Sequence, residues 1–550
     1  MKYLKIGIYE LYAVAILLFG SGLRVMLAAL NWPPTNADEG TMGIMALHIA
    51  YRGERPFLFY GQNYMGSLEA YLGAFYFHLL GGPSLFALRL GVITLTTLFF
   101  LSTYFLASLL YSRHVALVTL ALLSLGSIPV FTREMIATGG STQTLLFGSL
   151  AFLLSTKLAL TYRSGTIART KLMRFLTYGL WGVVVGLGVW SDMVVLPFFA
   201  LAALLLVVYC WFELLLWGWP ALLGGFLLGA WPLIEYNRQT APGQDSLTIL
   251  LGLFHGSTVQ APHTLQGILH GIKATVLVSI PTATGSPFCP VMELSWLGDN
   301  SPHSFACTVA HAGWGLGYLA LLGVALFVTM RALWRAWHGG QSSERIRCVA
   351  QLALLGGAVL AIVAYATSSG PQGWPGFHAR YLVGLLIVTP AILAPLWNAA
   401  SVINSQKTRI ERIASNTSRV VLAIIGIVFL IGTAMLLSEV PAAQTAYQRQ
   451  TDLIAQLEHI GATHFYTDYW SCDQLVFQSD EHIICVVVDN NLQPSHNRDP
   501  RYIPLVQNDP YAAYVFPLHT AQLAAIERDV AFAPQLYRHF AFDGYEVYEP

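Results

Sequence analysis

Two adjacent carboxylates open the chemistry of this chain. Asp38 and Glu39 stand in the run Asn36-Ala37-Asp38-Glu39-Gly40-Thr41-Met42-Gly43, just before the apolar helical stretch Ile44–Tyr51. Negative charge suits a helix N-terminus, so the plainest role of the pair is a cap. The residues that follow argue for more. Phe59-Tyr60-Gly61-Gln62-Asn63-Tyr64-Met65-Gly66-Ser67-Leu68-Glu69-Ala70-Tyr71 mixes aromatic rings, amides and a third carboxylate. Rings and amides beside acids suit stacking on a sugar and hydrogen bonds to its hydroxyls, and a positioned carboxylate can take a proton from a hydroxyl. The same rings also suit the aromatic belt of a membrane protein. No His/Cys/Asp/Glu spacing resembles a zinc site, and no GxxxxGK[ST] phosphate loop occurs.

The elements that must position these groups are membrane helices. Of the 550 residues 55% are hydrophobic and only 11% charged, where a soluble chain carries about 25% charged residues. The 29 Lys and Arg balance the 29 Asp and Glu, so no basic field argues for nucleic acid. A bilayer crossing takes about 20 apolar residues. Stretches near 7–31, 84–111, 114–131, 141–161, 174–190, 193–217, 219–235, 311–331, 348–368, 381–399 and 419–437 predict about eleven transmembrane helices. The segments 40–52 and 63–81 read as helices lying on the membrane surface in the first outer loop. The apolar run after Met1-Lys2-Tyr3-Leu4-Lys5 is long for a signal peptide, so it reads as a retained first span.

Lys and Arg in short loops set the orientation. With the N-terminus inside, one face holds Lys2, Lys5, Arg113, Arg163, Arg169, Lys171, Arg174, Arg331, Arg335, Arg345, Arg347, Lys407, Arg409, Arg412 and Arg419. The opposite loops hold only Arg52, Arg55, Arg133, Arg238, Lys273 and Arg380. An odd number of spans then places the C-terminal segment outside. Composition changes near Pro441, dividing the chain into a membrane domain, 1–440, and a soluble domain, 441–550. The tail alternates a helical stretch, Gln450–Ile460, with apolar runs at His464–Tyr466 and His482–Asp489, which predicts a small α/β domain. Cys289 and Cys307 share one outer loop, and Cys472 and Cys485 share the tail. In an oxidising compartment these make two disulfides or four buried thiols. The sequon Asn416-Thr417-Ser418 falls on the inner side.

Several motifs on the outer side resemble one family. Asp38-Glu39 heads the first outer loop, and Ala87-Leu88-Arg89-Leu90 opens the second span. Ala137-Thr138-Gly139-Gly140-Ser141-Thr142-Gln143-Thr144 precedes the fourth, and Gly186-Leu187-Gly188-Val189-Trp190-Ser191-Asp192 ends the fifth. Trp231-Pro232-Leu233-Ile234-Glu235-Tyr236-Asn237 ends the seventh, Arg380-Tyr381-Leu382 enters the tenth, and Thr467-Asp468-Tyr469-Trp470 lies in the tail. In order and in side of the membrane they resemble the polyprenyl-phosphate-sugar-dependent glycosyltransferases. These include the protein O-mannosyltransferases (glycosyltransferase family 39) and the aminoarabinose transferases, of GT-C architecture. The likeness is to uncharacterised bacterial members. It implies an α-helical polytopic membrane protein with a small C-terminal α/β extracytoplasmic domain, placed in the cell membrane.

The resemblance also implies roles. Asp38 matches the first-loop aspartate at the family's reaction centre, and Arg380 resembles the late arginine that meets the lipid phosphate. Tyr60-Gly61-Gln62-Asn63-Tyr64 replaces the family's Lys-Pro-Pro-Leu-type segment, and Gln143 stands where a carboxylate often follows the Gly-Gly of the second outer loop. The implied reaction moves a mannose-like hexose or related sugar from polyprenyl phosphate to a protein, glycan or lipid acceptor, with inversion at C1. Asp38 is the first choice as base, Glu69 the second, and Glu39 orients the loop or helps hold a divalent cation, Mg or Mn. Arg380 and His378, with Arg89 behind them, are the phosphate candidates, because a guanidinium donates two parallel hydrogen bonds. Their plain alternative is snorkelling toward headgroups. Tyr60, Gln62 and Tyr64 are the candidate sugar contacts. Asp468-Tyr469-Trp470 lines the acceptor opening or is simply a packed strand end. A transporter or lipid flippase without transferase chemistry is the alternative; it would place charge at mid-membrane on broken helices, often in paired repeats.

Overall fold

The computed structural model describes residues 7–162, 168–241, 243–255, 264–286, 289, 302–401 and 408–550. Lys2, Lys5, Arg163 and Lys407, four of the residues that set the expected orientation, lie outside the described residues. The chain groups into two compact units. One comprises residues 1–23, 94–134 and 140–437; the other comprises residues 24–93, 135–139 and 438–550.

The first unit is helical. In the whole chain nine helical stretches among the described residues are long and apolar enough to cross a membrane. Arg113–Leu123 and Ile128–Met135 add a tenth if that pair, bent by 92°, is one span. An eleventh comes from the 37-residue stretch Met193–Gly229, which holds two passages. Leu196–Glu213 runs back along the helix Ala168–Ser191, from Phe199 beside Gly188 to Glu213 beside Arg174. After the wide turn Leu214–Gly218, Trp219–Gly229 returns along the same helix. Glycines set the spacing of that return. A Cβ on Gly225 would lie 2.1 Å from the Gly179 carbonyl, and one on Gly229 would lie 2.4 Å from that of Val183. Small residues of this kind let membrane helices approach backbone to backbone. At the turn Arg174 donates to Glu213 from Nε and Nη2, and Tyr178 donates to the same carboxylate at 2.8 Å. Cys289 and Cys307 are disulfide-bonded.

The second unit is α/β. Its helix Ala37–Arg52 starts where Asn36 accepts from the Glu39 N–H at 2.9 Å and stops at Gly53 in the left-handed region. Ala37 and residues 39–48 are buried, which explains the apolar pattern: this helix is core. Helix Leu68–Leu80 packs on it at Gly73, and helix Tyr469–Gln478 at Gly40 and Gly43. The strands β1 (His464–Thr467), β2 (Ile484–Val487), β3 (Ala513–Pro517), β4 (Arg538–Phe542) and β5 (Tyr545–Glu549) form one sheet of order β2-β1-β3-β5-β4. The first three are parallel, with Tyr469–Gln478 as the β1–β2 crossover, and β5 runs antiparallel to both β3 and β4. Asp543-Gly544, both at positive φ, close the β4–β5 hairpin. Cys472 is disulfide-bonded to Cys485, tying the crossover helix to β2. The α/β tail expected from alternating runs is therefore present, and its helix starts at Val440, before Gln450.

Candidate active site

Asp38 sits in the first turn of its helix, yet the cap is Asn36, so the aspartate is not needed to close the helix end. Its side chain is 13% exposed and pairs with Arg498, whose Nη2 donates to Oδ1 at 2.7 Å. Tyr469 donates to the same oxygen at 3.0 Å. Arg498 in turn donates to the Tyr469 hydroxyl from Nε at 3.1 Å and from Nη2 at 2.7 Å, and its guanidinium lies 5.1 Å from the Phe59 ring centroid. Burial, then the neighbouring Asp38, pushes the Tyr469 phenol up to about 12, so it stays protonated and donates. A carboxylate gripped this way has a fixed orientation.

Glu39 and Arg89 find each other. Both side chains are fully buried, with Nε to Oε1 at 2.9 Å and Nη2 to Oε2 at 2.7 Å. Glu39 Oε1 also accepts from the Ala137 N–H at 3.2 Å, and Glu69, 1% exposed, accepts from the Gly139 N–H at 2.8 Å. Two acids expected in catalysis thus hold the backbone of residues 137–139. Gly139 suits that place because it lies at φ +81°, where a Cβ would also strike Met65 Sδ at 2.6 Å. Arg89, expected at a phosphate, is instead spent inside the core on Glu39, since a buried fork with one bidentate carboxylate has no headgroup to snorkel toward.

Tyr60 and Gln62 reach the same region. Tyr60 donates to Glu54 at 2.8 Å and faces a cavity of about 640 Å³ lined with Glu54, Arg55, Gly61, Arg498, Asp499 and Arg501 among others. Burial opposes ionisation of Glu54, but hydrogen bonds from Arg501 and Tyr60 outweigh it and hold its carboxyl below the usual range. Gln62, with its carbonyl turned to the guanidinium, accepts from Arg498 Nη1 at 3.0 Å. Tyr64 packs half-buried against the hydrophobic core. On the far side of Tyr60, fully buried His48 bridges the Tyr60 hydroxyl at 3.0 Å and Glu481 at 2.9 Å.

His378 and Arg380 belong to the membrane unit. His378 Nδ1 bonds the Gly370 carbonyl at 2.8 Å, and its ring stacks on Tyr381 at 5.8 Å. The Arg380 guanidinium lies 4.7 Å from the Phe377 ring centroid and 5.2 Å from that of Tyr381, and Nη2 donates to the Tyr381 hydroxyl at 3.3 Å. Gly140, at φ +84°, admits the carboxylate of Asp192: a Cβ there would sit 2.1 Å from Oδ2. Among the described residues no three His, Cys, Asp or Glu side chains form a group able to hold a metal.

Arg498 is the site residue with no signal in the sequence. It lies in Ser495-His496-Asn497-Arg498-Asp499-Pro500, an ordinary polar loop. Tyr469 carried a signal, a Tyr-Trp pair at a strand end, and the half-buried Tyr469 does reach the acid while Trp470 points outward, 54% exposed.

No family model matches this sequence, and no curated protein does. Solved structures share its fold. ArnT from Cupriavidus metallidurans bound to undecaprenyl phosphate aligns with 98% of this chain and 97% of its own, at 13% identity and TM-score 0.55. ArnT from the same organism in the apo state aligns with 98% of each chain, at 14% identity and TM-score 0.51. The archaeal oligosaccharyltransferase AglB from Archaeoglobus fulgidus aligns with 98% of this chain at 13% identity, but its TM-score of 0.47 is too low to add to the fold assignment. The chain is a multi-pass membrane protein with the ArnT fold.

Proposed function

We propose that this protein is a membrane glycosyltransferase that moves a mannose-like hexose or related sugar from a polyprenyl-phosphate donor to an acceptor outside the membrane. The observation that carries the reading is Asp38: a carboxylate at the start of a buried helix, partly exposed, and held in one orientation by Arg498 and Tyr469. The ArnT fold supports the donor class, since one of those structures is bound to undecaprenyl phosphate. The ArnT fold fits a transferase rather than a transporter or flippase.

In this reading the acceptor hydroxyl gives its proton to Asp38 while its oxygen attacks C1 of the sugar. The C1–O bond to phosphate breaks, the electron pair stays on the phosphate, and attack opposite the leaving group inverts C1. Such base assistance is typically worth about 10²–10⁴ in rate. Arg380, with His378, compensates the departing phosphate in a site poor in water. Glu39 and Glu69 act through the backbone they hold, and Arg89 through Glu39, so these three are positioning residues. Tyr60 and Gln62 contact the sugar or acceptor beside Arg498. The N-terminus is cytoplasmic, and residues 441–550 lie outside, where both disulfides persist.

The test is transfer of labelled sugar from polyprenyl phosphate in membranes, comparing the parent with Asp38→Asn and Arg380→Ala. Both variants lose most transfer. Equal transfer by all three refutes the site, and recovery of label in protein, glycan or lipid fractions identifies the acceptor.

A further inference from the structure

The charged lining of the cavity beside Tyr60 is Arg55, Arg498 and Arg501 against Glu54 and Asp499. Its volume of about 640 Å³ falls within the range of about 300–1,000 Å³ typical of small-ligand sites. Both acids are fully engaged. Glu54 Oε1 accepts from Arg501 Nη1 at 2.7 Å, and Oε2 accepts from Tyr60 at 2.8 Å. Asp499 takes Arg501 on both oxygens, Nε to Oδ1 at 2.8 Å and Nη2 to Oδ2 at 2.7 Å. Arg498 is spent on Asp38, Tyr469 and Gln62. Arg55 differs. Its side chain is exposed, and among the described residues it makes no hydrogen bond and no ion pair. The lining thus offers one uncommitted guanidinium, while each carboxylate oxygen already has a donor. A cationic ligand would find no free acid there, and an anion finds a free fork. Arg498 joins the cavity to the reacting acid, because it borders the one and donates to the other at 2.7 Å. Gly61 permits the close fit: it lies at φ +69°, and a Cβ there would stand 3.1 Å from Arg498 Cδ. The second residue on Asp38, Tyr469, is followed by Trp470, whose exposed indole offers a flat face to a sugar ring.

We propose that this cavity is the acceptor's subsite and that Arg55 selects an acidic saccharide. The carboxylate of one sugar residue sits on Arg55 while a hydroxyl further along the glycan is presented to Asp38. The inference rests on the base role given to Asp38 above and names the class of acceptor that the base would serve. A guanidinium meets a carboxylate with two parallel hydrogen bonds, a match that a neutral sugar hydroxyl cannot make. Arg55 therefore sets which acceptor binds, and Asp38 acts on whatever hydroxyl that anchor brings to it.

The probes are a galacturonic acid trimer and the matching neutral galactose trimer, binding to the full chain in phosphatidylcholine nanodiscs at low salt. Parent protein prefers the acidic trimer by about tenfold or more, the size of one charged hydrogen bond. Arg55→Gln binds the two trimers alike, Arg55→Lys keeps part of the preference, and both variants melt as the parent does. A parent without preference, or a preference that survives in Arg55→Gln, overturns the proposal. Nanodiscs doped with phosphatidylglycerol separate a glycan from a lipid headgroup. The preference persists there; its loss would mean that Arg55 holds a headgroup, and the proposal fails. Transfer of labelled sugar keeps the two readings apart. If Asp38→Asn loses transfer while Arg55→Gln still prefers the acidic trimer, this inference alone falls. If Asp38→Asn transfers as the parent does, the base role falls and the inference with it.

Discussion

Arg498 grips Asp38 at 2.7 Å across 460 residues of sequence. The contact makes the tail a working part of the acidic loop, because the guanidinium fixes the carboxylate and is itself held by Tyr469, Phe59 and Gln62. Arg498→Ala should lower sugar transfer about tenfold or more through loss of that orientation, less than the roughly 10²–10⁴ expected of Asp38→Asn. Arg498→Lys restores a charge but not the fork, and recovers part of the rate. Single-turnover transfer is the measurement; full activity in Arg498→Ala would remove Arg498 from the site.

Glu39 and Arg89 make a fully buried pair. Removing one partner leaves the other charge unpaired in the core, at a cost of about 3–5 kcal/mol. Glu39→Gln and Arg89→Met are each expected to be strongly destabilised, and the double variant less than the sum. Thermal melts of the four proteins give the coupling. Additive losses would show that the two groups act independently.

Asp473 gives a pH signature. It accepts from Thr41 in the buried contact between the first-loop helix and the crossover helix, and burial raises its carboxyl to about 6. The folded state therefore binds this proton more tightly than the unfolded chain. Its ionisation costs stability progressively as pH rises from about 4 to 6, by roughly 3 kcal/mol in full above that window. Asp473→Asn keeps the acceptor for Thr41 and removes the titration. It should melt higher than the parent at pH 8 and show no such gain near pH 4. A gain of equal size at both pH values would mean that packing, not ionisation, is responsible.

Gly40 tests how closely those two helices must meet. A Cβ there would lie 2.4 Å from the Asp473 carbonyl carbon, a backbone atom with little room to yield. Gly40→Ala should cost about 1–3 kcal/mol as overpacking and draw Tyr469 off Asp38. Loss of transfer in protein that still folds is the expected result. Normal transfer would show that the tail contact is dispensable.

Patterns that repeat along the chain could be read directly. Lipid-facing runs, the buried strand at His482–Asp489 and the helix after Asp38 all follow from local spacing of apolar residues. The pairings could not. Glu39 and Arg89 look identical, residue by residue, to a cap and a snorkelling arginine, because burial is decided by what packs around them. The apolar stretch 40–52 read as a membrane-surface helix for the same reason: hydrophobic periodicity does not say whether lipid or the helix Tyr469–Gln478 covers a face. Arg498 sits in a polar loop with no period at all. The Leu214–Gly218 turn contains no polar break, and only the expected length of a crossing hinted at two passages there.

Asp38 is made early, and both residues that hold it, Tyr469 and Arg498, are made late. While the ribosome threads the intervening helices into the bilayer, the acid has neither clasp. Under the proposed function, a half-synthesised chain would thus meet lipid-linked sugar with its acid unheld and discharge it slowly, and full competence would arrive only once translation has passed the loop that carries Arg498. Synthesis itself would then act as the safety catch.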